Sequence, residues 1–260
     1  MKHVNINPNQ NDMNKLEQLF KSKQFKTVEK ECKILSKKYS KSSILYNILG
    51  ISQEKQGKLQ SAQSNFEKSI KFNPNYIYAY NNLGNVLRNL EKYDDAINFI
   101  NKAIKLNANY PDAYINLGII YKNLNKFKKA ISYYNKSLEL NPNLASAYYN
   151  LGIVYRVIGN FDEAILNYKK AISINKKMYE AYSNMIFCSY YKSYDIKDTI
   201  AYAKSYRNSL SLISKNIILN YNFNKNPKKL RLGFVSGDFG NHPGGYFMLN
   251  TLKSLKNKKF

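Results

Sequence analysis

The residues best suited to chemistry lie near the end of the chain, in the stretch LRLGFVSGDFGNHP at 230–243. The neutral ring of His242 can accept the proton of a hydroxyl group, or orient a serine or threonine that receives a transferred group. Asp238, Asn241 and Pro243 belong to the same loop, where Asp238 is better suited to capping or orienting the loop than to chemistry. The alternative is a histidine that only holds the turn. His242 is therefore the candidate catalytic residue, with its role left open.

The elements predicted around this loop are a strand, the polar loop itself and a helix. The strand is the apolar run at 230–235, and apolar residues follow the loop at helical spacing. These residues are Phe247, Met248, Leu252 and Leu255. Strand, loop and helix in this order open an α/β nucleotide-handling fold, in which ligands lie at the carboxyl ends of the strands. Such a domain needs several units of about thirty residues each, so we expect 229–260 to be the start of a truncated domain that is inactive by itself.

Ahead of this segment the sequence repeats with a period of 34 residues. Each unit has a Leu-Gly pair, a tyrosine three residues before the leucine and an alanine twelve residues after the glycine. The repeat glycines are Gly50, Gly84, Gly118 and Gly152. This pattern predicts tetratricopeptide repeats, in which the glycine and the alanine let two helices approach closely. The predicted fold is an all-α, right-handed superhelix whose first helices line a concave groove.

The repeat pattern also sets the expected boundaries. The solenoid is predicted over 14–213, with clear repeats that start at about 43, 77, 111 and 145. Degenerate units at 14–42 and 179–213 flank them, since terminal repeats have different neighbours, and Ile186 replaces the glycine in the second. Residues 1–13 are predicted to be disordered, 214–228 to be a linker, and 229–260 to start the catalytic domain.

Repeats and tail together resemble a known family. The string KLRLGFVSGDFGNHP resembles the first strand and loop of the catalytic domain in protein O-GlcNAc transferases and SPINDLY proteins. Those proteins carry tetratricopeptide repeats before a two-lobed, GT-B type glycosyltransferase domain. The resemblance of the tail covers 229–260. It implies transfer of a sugar from UDP-GlcNAc, or from GDP-fucose in the SPINDLY proteins, to a protein serine or threonine. It implies no metal and no cofactor beyond the donor, and it places His242 in the lining of the active site.

Asparagines recur two residues before the repeat glycine, on the face predicted to line the groove. The asparagine row consists of Asn82, Asn116, Asn150 and Asn184. An amide carries both donors and acceptors, so the row can pair with a polypeptide backbone whatever its side chains. The resembled transferases hold protein substrates with asparagines at this position. In the first clear unit the residue is Ile48, so the row starts one repeat late. The alternative is a set of solvated polar faces in an Asn-rich chain.

Two classes of function are open. One is the substrate-binding front of an O-GlcNAc transferase-like enzyme, and the other is a stand-alone tetratricopeptide scaffold for protein–protein interaction. The clamp by which tetratricopeptide cochaperones hold an acidic C-terminus is not predicted, because it needs cations at inner-face positions. Those positions carry Tyr78, Asn81, Asp112, Ile115, Ser146 and Tyr149. The expected partners are polypeptides, and self-association to a homo-oligomer stays open because no segment marks a surface for it.

Composition narrows the setting of the protein. The formal net charge is +24, but the excess is nearly all lysine spread over the helices, so we predict no specific nucleic-acid binding. The few arginines are Arg88, Arg156, Arg207 and Arg231.

No segment reaches the about 20 apolar residues that span a bilayer, and the N-terminus has no apolar signal core. Cys32 and Cys188 are too few for a disulfide framework or a metal cage. A cytoplasmic protein without a membrane partner is predicted.

Overall fold

A computed structural model describes residues 6–192 and 196–211, and the regular structure of this part is entirely helical. It contains twelve helices that follow one another in antiparallel pairs. The N-terminal pair and the first two repeat pairs are α1 (Gln10–Lys21), α2 (Phe25–Lys38), α3 (Ser43–Glu54), α4 (Leu59–Phe72), α5 (Ile77–Asn89) and α6 (Tyr93–Leu106). The remaining pairs are α7 (Pro111–Asn123), α8 (Phe127–Leu140), α9 (Ala145–Val157), α10 (Phe161–Ile174), α11 (Tyr179–Lys192) and α12 (Ile196–Ser211).

The ends of the array differ in detail from the sequence-based boundaries. Helix α1 begins at Gln10, inside the segment predicted to be disordered, because the Asn9 side chain caps it by accepting a hydrogen bond from the Asp12 backbone N–H at 2.9 Å. Helix α12 ends at Ser211. The linker at 214–228 and the strand, loop and helix predicted at 229–260 lie outside the described residues.

Within each repeat the two helices touch at the glycine. A Cβ atom placed on Gly50 would lie 2.7 Å from the ring of Phe66, and one on Gly152 would lie 2.5 Å from the ring of Tyr168. Ile100 and Tyr134 fill the same place against Gly84 and Gly118 in the other two repeats. The repeat alanines Ala62, Ala96, Ala130 and Ala164 are fully buried. The close approach of the paired helices is therefore the reason for the Leu-Gly and Ala positions of the pattern.

Consecutive repeats stack unequally. The odd-numbered helices from α3 to α11 pack against one another as well as against their own partners, whereas the even-numbered helices from α4 to α10 show no comparable mutual packing. When the helices of one layer lie closer together than the helices of the other, the array curves toward the closer layer. The odd-numbered helices therefore form the inner layer, and its solvent-facing surface is called the groove below. The right-handed sense of the superhelix stays a prediction.

Candidate binding groove

The structure places the asparagine row at one equivalent position of the inner helices. Asn82 lies in α5, Asn116 in α7, Asn150 in α9 and Asn184 in α11. Asn82, Asn116 and Asn184 are partly buried, and Asn150 is buried at 9% exposure. The four amides thus follow the inner layer from one repeat to the next, as expected from their spacing, while their part in binding stays a prediction.

Two of these amides reach back to the preceding inner helix. Asn82 Nδ2 donates a hydrogen bond to Asn47 Oδ1 at 3.0 Å, and Asn116 Nδ2 donates to Asn81 Oδ1 at 2.9 Å. Both partners lie 35 positions earlier in the chain. The asparagine row therefore has a structural task as well, since it links the inner helices of neighbouring repeats.

The other two members show how the link depends on the preceding residue. Asn184 Nδ2 donates to the Tyr149 hydroxyl at 3.4 Å, again 35 positions earlier. Asn150 instead donates to the backbone oxygen of Ser146 in its own helix at 2.8 Å. The residue 35 positions before Asn150 is Ile115, which has no polar side-chain atom. Without an acceptor there, the amide turns to its own helix.

These contacts use the Nδ2 donors of the asparagine row and do not involve its Oδ1 acceptors. Within residues 6–192 and 196–211, the Oδ1 atoms of the four asparagines accept no hydrogen bond from a protein group. An amide oxygen has two lone pairs and accepts readily from a backbone N–H. The arrangement can therefore offer one acceptor per repeat to a chain lying in the groove.

A second periodic set lies four residues after the repeat glycine, and the sequence analysis did not single it out. It begins with Glu54 in α3 and continues as the cationic row, which consists of Arg88 in α5, Lys122 in α7 and Arg156 in α9. The signal was present, because the four residues are 34 positions apart. The chain has many other lysines, so this spacing alone does not distinguish the four residues.

Asn85 connects the carboxylate of Glu54 to the guanidinium of Arg88. Its Nδ2 donates to Glu54 Oε1 at 2.7 Å, and Arg88 Nη2 donates to Asn85 Oδ1 at 2.5 Å. Burial raises the pKa of Glu54. The charge of Arg88 is thus partly balanced by Glu54 through one amide, at the N-terminal end of the cationic row.

The cationic row is otherwise poorly compensated. Arg88, Lys122 and Arg156 are partly buried, and none of them forms an ion pair within the described residues. The Nε atoms of Arg88 and Arg156 are buried without a hydrogen-bond partner in that part of the chain. Burial lowers the pKa of Arg88, and burial together with the charge of Arg88 lowers the pKa of Lys122. The Arg156 guanidinium lies over the ring of Phe187, 5.5 Å from its centre.

The N-terminal end of the groove is apolar. A cavity of about 540 Å³ opens between α1 and α3, with Met13 and Phe20 on one side and Ile48 and Ile51 on the other. Ile48 stands where the later repeats carry an asparagine. Ile48, which interrupts the predicted asparagine row, thus belongs to the surface of this cavity. That surface suits an apolar side chain of a ligand rather than a ligand backbone.

The remaining predicted site residues cannot be placed. His242, Asp238, Asn241 and Pro243 lie outside the described residues. In the part of the chain that the structure describes, no group of three or more His, Cys, Asp or Glu side chains is arranged to hold a metal ion. None of the described helices combines the length and apolar character needed to cross a membrane.

Comparisons with known protein families identify the repeats. The tetratricopeptide-repeat models match residues 44–76, 77–110, 111–144 and 145–178. These segments together cover more than half of the chain. The chain is therefore a member of the tetratricopeptide-repeat family, which confirms the architecture predicted from the 34-residue period.

Solved structures agree with this assignment. MamA is 27% identical with a TM-score of 0.54, and the match covers 64% of this chain and 97% of MamA. TTC0263, a tetratricopeptide protein of Thermus thermophilus, is 20% identical with a TM-score of 0.63, over 69% of this chain and 97% of that one. A chain of the APC/C hetero-tetramer Cut9–Hcn1 is 18% identical with a TM-score of 0.62, over 76% of this chain and 38% of that one. The last two matches show the fold alone.

A search of curated proteins found no match. The family models and the solved structures support a tetratricopeptide protein of the kind that acts as a protein–protein interaction scaffold. They give no support to the O-GlcNAc transferase or SPINDLY family in particular, so the scaffold that the sequence left as the alternative is the better supported of the two classes.

Proposed function

We propose that the repeat array is an interaction scaffold that binds an extended polypeptide in the groove. The observation that carries the proposal is the asparagine row, whose oxygens lie one per repeat along the inner layer without a protein donor in the described residues. Acceptors of this kind recognise the N–H groups that every polypeptide carries. The scaffold would therefore hold partners of diverse sequence.

The spacing of the inner helices suits such a ligand. Packed helices lie about 8–10 Å apart, and a chain in the extended polyproline II conformation rises about 3.1 Å per residue with three residues per turn. One repeat therefore corresponds to about three residues of ligand. Every repeat can meet a backbone N–H in a chain that runs along the inner layer, and the side chains of the ligand are left to other parts of the groove.

The test compares two variants that each lose four amides. One carries Asn82→Ala, Asn116→Ala, Asn150→Ala and Asn184→Ala. The control carries Gln60→Ala, Asn98→Ala, Asn101→Ala and Asn135→Ala, at exposed positions of the even-numbered helices. Binding of labelled, unstructured peptides is followed by fluorescence anisotropy, with the melting temperature of each variant measured beside it.

The groove variant should bind at least about tenfold more weakly than the wild type, since each lost hydrogen bond is worth about 1 kcal/mol. The control should bind like the wild type. Peptides methylated on their backbone nitrogens should also bind poorly, because they cannot donate to the asparagine oxygens. Undiminished binding by the groove variant, or of the methylated peptides, would contradict the proposal.

A second candidate function rests on the string at 229–243, which resembles the start of an O-GlcNAc transferase catalytic domain. In that case the groove would present protein substrates, UDP-GlcNAc would be the donor, and His242 would line the active site. Catalysis would rely on positioning and on stabilising the leaving diphosphate.

Calorimetry with UDP-GlcNAc tests this candidate. The 260-residue chain is compared with a chain extended to the stop codon of its reading frame. Donor binding and sugar transfer by the longer chain alone would support the enzyme. Neither binding nor transfer by either chain would leave the scaffold as the function.

A further inference from the structure

We propose that the groove selects an acidic, extended polypeptide whose carboxylates pair with the cationic row, Arg88, Lys122 and Arg156. This inference rests on the proposed function, because it names the partner class of the same groove. It differs from the clamp considered above, which needs cations at other positions of the inner helices and holds one terminal carboxylate. Here the cations recur along the array, and several acidic side chains of one ligand are engaged.

The first argument is the lack of ion pairs at these cations, of which only Arg88 is partly balanced, by Glu54 through Asn85. Three cations lie partly buried at equivalent positions of α5, α7 and α9, and none has an ion-pair partner among the described residues. Taking a cation out of water without a partner costs free energy, and a carboxylate that arrives in the same place recovers it. The buried Nε atoms of Arg88 and Arg156 show that part of this cost is already incurred in the unbound protein.

The second argument is the geometry of the row. Its members stand on successive inner helices, so they are one repeat apart, or about three residues of a ligand in the polyproline II conformation, in which every third side chain points the same way. Lys122 is near enough to Arg88 for the arginine charge to affect its ionisation. A ligand with acidic side chains at about every third position can therefore meet all three cations while its backbone faces the asparagine row.

The third argument separates an acidic polypeptide from a nucleic acid. One repeat before Arg88 the equivalent position carries Glu54, and beyond Glu54 the groove becomes the apolar cavity with Ile48 and Ile51. A phosphate backbone carries a charge on every unit and would meet a carboxylate and an apolar surface at that end. A polypeptide can place an uncharged, apolar residue there and acidic residues farther along.

The experiment uses labelled peptides of about 12 residues and the full 260-residue chain. The first peptide has a leucine at one end and a glutamate at every third position. The second has the same composition with all the glutamates gathered at one end. The third is neutral, with glutamine for each glutamate, and a single-stranded oligouridylate of the same net charge serves as the nucleic-acid probe. Affinities are measured by anisotropy at about 0.15 M salt, where loose surface attraction is largely screened.

Two variants remove the same amount of charge from different places. The groove variant is Arg88→Gln, Lys122→Gln and Arg156→Gln. The control is Lys71→Gln, Lys105→Gln and Lys128→Gln, at exposed positions of α4, α6 and α8. The melting temperature of each variant is measured beside its affinity, because Arg88→Gln also removes the hydrogen bond to Asn85 and Arg156→Gln removes the contact with the Phe187 ring.

The spaced acidic peptide should bind the wild type at least about tenfold more tightly than the neutral or the gathered peptide. The groove variant should lose this preference, and the control should keep it. Equal loss in the two variants, or equal binding of the oligouridylate, would overturn the inference in favour of general charge attraction. If all three peptides bind alike, the partner class is wrong while the proposed function stands. If none of them binds, both fail.

Discussion

At the scale of single residues, the turn inside each of the first five helical pairs imposes one backbone conformation. Lys23, Gly57, Glu91, Asn125 and Gly159 all have a positive φ, between 56° and 79°, and they are 34 positions apart. The left-handed region costs a residue with a Cβ atom about 1–2 kcal/mol, whereas glycine enters it readily. That Lys23 belongs to this series shows that the N-terminal pair uses the same turn as the clear repeats, although its sequence has lost the Leu-Gly signature.

We predict that Glu91→Gly raises the free energy of unfolding by about 0.5–1 kcal/mol. The strain at a φ of 60° is relieved, and the greater freedom of glycine in the unfolded chain offsets only part of the gain. Gly57→Ala, at the equivalent turn, should lower the free energy of unfolding by a similar amount. Urea unfolding followed by circular dichroism measures both. A lower stability for Glu91→Gly would show that the turn is not strained.

At the scale of elements, one buried carboxylate joins the N-terminal pair to the first repeat. Glu29 in α2 is 7% exposed and accepts hydrogen bonds from Lys33 and Lys58, both at 2.7 Å, and from Gln53 and Gln56. The bonds from the two lysines, with smaller contributions from the glutamines, lower the pKa of Glu29 from 4.5 to about 2. The contact between the two elements therefore depends on the ionised form of this carboxylate.

The pH dependence of stability follows from this shift. Because the pKa is lower in the folded protein, the stabilisation is fully present above the unfolded pKa of 4.5 and is lost as the pH falls toward about 2. We expect Glu29→Gln to melt well below the wild type at neutral pH, and the difference to shrink progressively below about pH 5. Glu17→Gln removes an exposed partner of Lys21 and should change stability little. A deficit of Glu29→Gln that is constant across this range would exclude the ionisation as its cause.

At the scale of the whole molecule, the described part is an array in which each helical pair packs mainly on its neighbours. Arrays of this kind need not unfold in one step, because their stability is a sum of local terms. A buried cysteine lies toward each end, Cys32 in α2 and Cys188 in α11. Burial raises the pKa of the Cys32 thiol to about 12, with a smaller effect from the charge of Glu31, and it raises that of Cys188 to about 11.

We predict that neither thiol reacts with iodoacetamide in the native protein at about pH 8, since the thiolate is the nucleophile and both groups are enclosed. With increasing urea the two should become reactive at different concentrations, because the ends of the array open separately. The single variants Cys32→Ala and Cys188→Ala assign each transition, which mass spectrometry follows. Rapid labelling without urea, or one shared transition that coincides with the loss of helix, would contradict this account.

The groove shows where sequence-based inference reaches its limit. The asparagine row was found from spacing alone, because a 34-residue period puts its members on equivalent faces of successive helices. The cationic row has the same spacing, yet in a chain with 41 Lys and Arg residues nothing in the sequence separates these three from the others. Partial burial and the lack of an ion pair distinguish them, and both are properties of the packed array.

The sequence by itself determined the family, the pairing of the helices and the place of the close contacts, since these depend on short-range patterns that recur in every unit. Only the tertiary structure decided that Asn116 bonds to Asn81, that Asn150 turns back to its own helix, and that Glu29 joins two elements. Those partners lie in different helices or depend on what a neighbouring helix presents. Stacking of the repeats brings the inner helices together, and the side chain opposite each position then decides which bond forms.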